Sequence, residues 1–195
     1  LYEATYEPHY IQTAQELMQR VEDKFLSDNG TFHETASDGE ELLVRQTSGY
    51  DGVEPSGNSN AAYALLRLSA YLADPSLSLK AEKIFLNFNE ELMEYGLNSA
   101  YMLQALHLYL GGLKEVAVVG KRNDTETQKL LDTLRKGFYP NAVFAFAYED
   151  EIGSTSIPLL KDRKLVNGKA TAYVCKQGTC LAPVHTVEEL VKLLS

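Results

Sequence analysis

The hydrophobic pattern of this 195-residue chain changes its period near Gly112. Before that glycine, apolar residues recur at the spacing of one face of an α-helix. After it, short apolar runs at 115–120 and 142–149 flank an amphipathic segment at 125–136. A strand, a crossover helix and a parallel strand produce this second pattern. The change of period therefore divides the chain into a helical part, residues 1–112, and a small α/β part, residues 113–195.

Turn residues set the limits of the predicted helices in the first part. Asn29-Gly30 and Asp38-Gly39 are turn signals, and they predict a small hairpin or irregular loop between the first two helices. Gly96 and Gly111-Gly112 are typical helix ends. The resulting helices span residues 11–26, 61–72, 78–95 and about 98–110, and the apolar composition of the second one predicts a buried inner helix.

In the second part, the segment ATAYVCKQGTCLAPV predicts two strands joined by a turn at Gln177-Gly178. The last helix begins with Thr186 and Glu189, which are spaced as a capping box. The predicted order β-α-β-β-β-α is typical of a thioredoxin-like or other small α/β sandwich. The whole chain is thus expected to be mixed α and α/β.

Charge and hydropathy exclude several classes of protein. The formal net charge is −9 and the isoelectric point is near 5.0, so phosphate backbones and anionic membranes would repel the chain. No apolar run reaches the roughly 18 residues that a membrane-spanning helix needs. No basic segment followed by an apolar stretch is found near the N-terminus, so we expect a cytoplasmic protein. No cofactor is implied.

Four segments carry a resemblance to a known family: LYEA at the start, GYDGVEPSGNSNAAYALLRL, EVAVVG and AYVCKQGTCLAPV. In this order they are similar to the C-terminal part of the thioredoxin-domain-containing, or spermatogenesis-associated, protein family. Members have an N-terminal thioredoxin-like domain, an (α/α)6 toroid of the six-hairpin glycosidase type and a short α/β region. The resemblance implies that residues 1–112 are the last helical hairpins of an incomplete toroid. Because the chain begins with Leu1, we expect it to be a piece of a longer polypeptide.

The toroid also implies a relation to sugar epimerases and glycosidases, at the level of fold alone. Loops that lead into the inner helices of a toroid surround the mouth of its cavity. Asp51 and Glu54 would lie there as acid, base or nucleophile. A small sugar would then be the ligand. The other candidates for this rim are His33 and Arg45 as catalytic groups, and Tyr50 and Asn58 as binding groups.

The same loop also has a purely structural interpretation. Ser56, Asn58 or Ser59 is suited to cap the helix that follows. Asp51 and Glu54 would then accept backbone N–H groups or lie near the positive end of the helix dipole. Glycosidases place their two carboxyl groups about 5 Å or about 6.5–9.5 Å apart, and spacing within a loop does not determine this distance.

Cys175 and Cys180 are the chain's two cysteines. If Gln177-Gly178 is a two-residue hairpin turn, the two cysteines face each other as a non-hydrogen-bonded pair, where a disulfide is able to form. In a reducing cytosol we expect them to be two adjacent thiols. Their spacing is neither CxxC nor a zinc pattern, so no metal site is expected.

Three functions follow from these observations. The first is a carbohydrate-binding or carbohydrate-processing enzyme, of which this chain would be an inactive fragment. The second is a non-catalytic interaction region that self-associates or packs on the missing part of the parent, and it is favoured for the chain in isolation. The third is a thiol redox module that uses Cys175 and Cys180.

Overall fold

The computed structural model describes residues 1–194, which form two compact units. The first unit comprises residues 1–11, 70–73 and 112–194, and the second comprises Gln12–Ser69 and Asp74–Gly111. The helices before Gly112 are α1 (Tyr2–Thr5), α2 (His9–Phe25), α3 (Gly57–Leu72), α4 (Pro75–Asn87), α5 (Asn89–Tyr95) and α6 (Ala100–Gly111). A short 3-10 helix, Gly96–Ser99, precedes α6.

The core of the second unit is built from the apolar faces of its helices. Leu65 of α3, Ile84 of α4 and Met102 of α6 are fully buried. Burying side chains of this size contributes roughly 1.5–3 kcal/mol each. Most side chains between residues 61 and 72 are buried, which confirms that α3 is a largely buried helix.

The predicted helix at 78–95 is wrong in its bounds, because the structure has two helices there. Asp74 accepts a hydrogen bond from the Ser76 amide at 2.9 Å, and Pro75 occupies the first helical position, so α4 begins earlier than predicted. At Phe88 the backbone leaves helical geometry, with φ −99° and ψ 14°. The Phe88 side chain is buried at this break, and the ring closely approaches Gly49.

Residues 26–56 form an irregular loop, which is one of the two predicted alternatives. Isolated bridges pair Leu26 with Phe32 and His33 with Thr47. The loop therefore folds back through isolated backbone pairs and not through a regular hairpin. Side-chain hydrogen bonds hold it in place.

The first unit contains a four-stranded mixed sheet with the strand order β2-β1-β3-β4. The strands are β1 (Lys114–Gly120), β2 (Ala142–Tyr148), β3 (Thr171–Lys176) and β4 (Thr179–Cys180), and the helices are α7 (Thr125–Lys136) and α8 (Val187–Leu194). Strands β1 and β2 are parallel, whereas β3 is antiparallel to both β1 and β4. The order β-α-β-β-β-α agrees with the sequence pattern. The structure is thus mixed α and α/β.

Local signals in the sequence begin α7 and α8. Asp124 accepts a hydrogen bond from the Thr127 amide at 2.9 Å and caps α7. The capping box before α8 is confirmed: the Thr186 amide donates to the Glu189 carboxylate at 3.2 Å, and the Glu189 amide donates to the Thr186 hydroxyl at 3.3 Å.

Helix α1 covers the outer edge of β2. The Glu3 carboxylate accepts hydrogen bonds from the Phe144 amide at 3.1 Å and from the Tyr71 hydroxyl at 2.6 Å. The Tyr2 hydroxyl accepts a hydrogen bond from the Phe146 amide at 3.4 Å. These bonds satisfy donors that an edge strand would otherwise leave open to another chain. Burial raises the pKa of Tyr2 above its usual range.

Candidate functional site

The hairpin formed by β3 and β4 brings the two cysteines together. Gln177 and Gly178 both have positive φ, 50° and 77°, as a type I′ turn requires. Cys175 pairs with Cys180, one position beyond the Lys176–Thr179 pair. The predicted two-residue turn and cysteine pairing are confirmed.

The two sulfurs form a disulfide, with an S–S distance of 2.04 Å. The expectation of two free thiols is therefore wrong for this structure. That expectation depended on a reducing compartment. The predicted facing positions allow the bond, because residues paired across a two-residue hairpin have their side chains on the same face of the sheet. The two cysteines differ in exposure: Cys175 is buried, with 2% of its residue surface exposed, whereas Cys180 is exposed.

An arginine lies against both sulfurs. The Nη2 atom of Arg163 is 3.4 Å from the Cys175 Sγ and 3.5 Å from the Cys180 Sγ. Its guanidinium lies over the Tyr173 ring, 4.9 Å from the centroid, and the Tyr173 hydroxyl donates to the Lys164 carbonyl at 2.7 Å. A stacked guanidinium has few rotamers left, so the positive charge is held at the disulfide.

A carboxylate neighbours the same cysteine on the adjacent strand. Glu115 of β1 is the register partner of Cys175. Burial raises the pKa of Glu115, and the nearby charge of Arg163 opposes that shift. The disulfide is thus flanked by a cation and by a carboxyl group that gains a proton more readily than an exposed one.

Sequence reasoning missed both flanking residues. Arg163 lies in a loop 12 positions before Cys175, and no local pattern joins the two. Glu115 does carry a signal, because it is a charged residue at the start of an otherwise apolar strand.

The loop with the predicted carboxylates belongs to the second unit. The Asp51 side chain accepts three backbone N–H groups, from Ser56 at 2.8 Å, Tyr101 at 2.7 Å and Met102 at 3.1 Å. These bonds join the start of α6 to the start of α3. Glu54 is exposed, and within residues 1–194 no hydrogen bond or ion pair involves its carboxylate.

The two predicted binding residues differ in their surroundings. Asn58 is buried, and its amide group accepts from the Phe32 amide at 2.7 Å and donates to the carbonyls of Phe32 and Ser48 at 2.8 Å and 2.9 Å. Tyr50 is 60% exposed. The Ser59 amide donates to the Ser56 hydroxyl at 3.0 Å, so Ser56 is the residue that caps α3.

His33 and Arg45 line a pocket of about 530 Å³ in the irregular loop. The other lining residues are Leu26, Ser27, Asp28, Asn29 and Thr47. The His33 Nδ1 lies 3.1 Å from the Arg45 carbonyl, and the Arg45 guanidinium donates to the carbonyls of Lys24 and Thr35. Asp51 and Glu54 do not line this pocket, so the structure separates the four predicted catalytic residues into two groups.

The part of the chain that the structure describes has neither a cluster of metal ligands nor a helix suited to cross a membrane. Within residues 1–194 no group of three or more His, Cys, Asp or Glu side chains is placed to hold a metal ion. No helix in that range has the length and apolar composition to cross a bilayer.

No family model matches the chain, but it is similar to known proteins over its whole length. It is 31% identical to Spermatogenesis-associated protein 20 of Homo sapiens and 30% identical to the protein of that name in Rattus norvegicus. The family that the motifs indicated is confirmed. An uncharacterised protein of Caenorhabditis elegans is 29% identical. The chain spans 25% of the length of the human protein and 25% of the length of the rat protein.

Proposed function

We propose that this member of the spermatogenesis-associated family takes part in thiol–disulfide exchange through Cys175 and Cys180. The observation that carries the proposal is the position of the Arg163 guanidinium, 3.4 Å and 3.5 Å from the two sulfurs. A structural disulfide needs no such cation. A redox pair benefits from it, because a positive charge stabilises the thiolate that forms when the bond breaks.

The unequal exposure of the sulfurs assigns their roles. Cys180 is open to solvent, so a partner thiolate attacks its sulfur and forms a mixed disulfide. Cys175 is the leaving thiolate, and it stays beside Arg163 within the sheet. In the reverse direction Cys175 attacks the mixed disulfide and releases the partner.

The test is to reduce the chain and measure how fast the thiols react with iodoacetamide near neutral pH. Replacing Arg163→Gln is expected to slow alkylation of Cys180 by about tenfold, because less thiolate is present. Arg122→Gln is the matched control. Arg122 also lies over a tyrosine ring, that of Tyr148, but its ion pairs are with Asp150 and Glu151. This variant is expected to react as the wild type does.

Two results would contradict the proposal. One is a disulfide that dithiothreitol reduces only after the chain has been unfolded with urea. The other is an equal alkylation rate in Arg163→Gln and in the wild type. In the expected case the native chain gains and loses two hydrogens reversibly in mass spectra.

Carbohydrate binding is the second candidate, and the polar pocket around His33 and Arg45 favours it. A volume of about 530 Å³ falls in the range of small-molecule sites. Since both side chains also hold the loop backbone, their replacement would disturb the fold as well as any ligand. The experiment is therefore an NMR titration of the wild type with glucose and glucuronate, followed at the amides of residues 26–33 and 45–47. Saturable shifts confined to these amides are expected, and their absence at millimolar sugar would contradict the candidate.

We also propose that the second unit is a portion of an (α/α)6 toroid, as the family resemblance implies. Its surface exposes large apolar side chains, with Leu43 and Val53 at 106% and Leu97 at 95% of their reference area. Exposed apolar side chains of this size are typical of a surface against which further helical hairpins, or a second copy of the chain, would pack. Sedimentation velocity is expected to show concentration-dependent self-association that Val53→Ser weakens, whereas a monomer at all concentrations would contradict self-association.

A further inference from the structure

We infer that Glu115 exchanges a proton with Cys175 during thiol–disulfide exchange, an inference that rests on the function proposed above. The observation that carries it is the register of the sheet, which places this carboxylate directly across from the buried cysteine.

Register partners on antiparallel strands project to the same face, with Cβ atoms about 4.5–5.5 Å apart. The pairs Glu115–Cys175 and Cys175–Cys180 therefore set the carboxylate and both sulfurs in one row across β1, β3 and β4. A glutamate side chain is long enough to reach the neighbouring sulfur from that position. Within residues 1–194 no hydrogen bond engages the Glu115 carboxylate, so its oxygens are not committed elsewhere.

The groups around this carboxylate favour its neutral form. Val143, its register partner on β2, is apolar and fully buried, and on β3 the same face carries Cys175 and Tyr173. A cation close to this carboxylate is Arg163, which lies over the Tyr173 ring and beside Cys175. Lys114 projects to the opposite face, where it donates to the carbonyls of Leu193 and Leu194. Burial accordingly raises the pKa of Glu115, and Arg163 only partly offsets this effect.

The reaction balances with a dithiol as reductant. A partner thiolate attacks the Cys180 sulfur, the Cys175–Cys180 bond breaks, and its electron pair leaves with the Cys175 sulfur. The neutral Glu115 carboxyl gives its proton to that thiolate, which is buried and which the Arg163 charge stabilises until the proton is transferred. The second thiol of the partner then loses its proton to solvent and attacks the partner's own sulfur in the mixed disulfide. Cys180 leaves as a thiolate that takes a proton from solvent, and Glu115 regains its proton from solvent. The partner is then oxidised to a disulfide, and the chain holds two reduced cysteines.

The experiment measures the rate at which dithiothreitol reduces the native full chain between about pH 4 and about pH 8.5. Samples are quenched with acid and alkylated, and the fraction of reduced chain is measured by mass spectrometry. Each rate constant is then divided by the concentration of dithiothreitol thiolate. In the wild type this normalised constant is expected to fall by at least about tenfold as Glu115 ionises and loses the proton it donates. In Glu115→Gln the profile is expected to be flat.

Two further variants complete the test. Glu115→Asp keeps a titrating group and is expected to retain the inflection, which separates proton exchange from packing. Glu149→Gln removes the same charge from an exposed position of the same unit, and it is expected to keep the wild-type profile. Circular dichroism and quantitation of the disulfide confirm that each variant is folded and oxidised before the reaction.

The outcomes separate the inference from the function on which it rests. A wild-type disulfide that dithiothreitol cannot reduce in the native chain would overturn the proposed redox function. A disulfide that is reduced with the same pH profile in the wild type and in Glu115→Gln would overturn the role of Glu115 alone.

Discussion

At the level of single residues, Asp51 and Arg163 show how one side chain joins distant parts of the chain. Asp51 holds the starts of two helices through three backbone amides. Arg163 holds a loop against a hairpin through a ring and two sulfurs. The former arrangement stabilises backbone, whereas the latter places a positive charge beside a disulfide.

Replacing Asp51→Asn is expected to lower the free energy of unfolding by about 2–4 kcal/mol. The substitution keeps the shape of the side chain, but its NH2 group faces amide donors that then have no acceptor. Urea unfolding is the measurement. Glu54→Gln, in the same loop, is the control and is expected to change stability by less than about 0.5 kcal/mol. Equal effects of the two substitutions would show that Asp51 is not a structural acceptor.

At the level of elements, the connection between β1 and α7 depends on the close approach of Gly120 to Thr127 and on the cap of α7. A Cβ added to Gly120 would lie 2.2 Å from Thr127 Cγ2 and 2.5 Å from its Oγ1. The Thr127 hydroxyl also accepts from the Lys121 amide at 3.1 Å and donates to the Asp124 carboxylate at 2.7 Å. Strand and helix are thus joined through one threonine, and only glycine fits against it.

Gly120→Ala is therefore expected to destabilise the chain by about 1–3 kcal/mol, since Thr127 or the helix must shift. Gly153→Ala makes the same change where nothing lies within 4 Å of the added Cβ, and it is the matched control. Thermal unfolding of both variants is the measurement. Equal melting temperatures of Gly120→Ala and the wild type would contradict the close-packing explanation.

The cap of α7 is expected to make stability depend on pH. Hydrogen bonds from Thr127, first from its side chain, hold the pKa of Asp124 below the ordinary value of 3.8. Because the folded pKa is lowered, the contribution of the ionised cap is complete above that value and is lost as pH falls through the folded pKa.

Asp124→Ala is expected to cost about 1 kcal/mol near neutral pH and less in acid. Urea unfolding between about pH 7 and about pH 3 measures this difference. Asp124→Asn is the control, because it keeps a side-chain acceptor that does not titrate. A cost for Asp124→Ala that stays constant over the whole range would refute the assignment.

At the level of the whole molecule, the disulfide closes a small loop, since the two cysteines are five residues apart. The sheet that carries it has its own buried core, in which Val116, Val118 and Val143 are fully buried. The fold of this unit therefore rests mainly on apolar packing rather than on the disulfide.

Reduction is expected to lower the free energy of unfolding by only about 2 kcal/mol, because the loop it closes is short. The reduced chain should keep its far-ultraviolet circular dichroism. Urea unfolding with and without dithiothreitol measures the change, and Cys180→Ser, which cannot form the bond, should be insensitive to the reductant. A reduced chain that unfolds under native conditions would make the disulfide a structural bond.

The sequence by itself determined the features that depend on neighbours along the chain. The change of period near Gly112, the order of strands and helices after it, the capping box at Thr186 and the turn at Gln177-Gly178 follow from side-chain spacing and backbone preference. The facing cysteines follow from that turn as well. The position of the break at Phe88 did not, because a buried ring packed near Gly49 decides it.

Only the tertiary structure decided what surrounds the chemistry-bearing groups. It separated His33 and Arg45 from Asp51 and Glu54, and it directed Asp51 to backbone amides 50 residues away. It also brought Arg163 and Glu115 to the disulfide from a loop and from another strand. The physical reason is that local sequence fixes backbone conformation, whereas the partners of a charged side chain are fixed by strand register and packing between segments far apart in the chain.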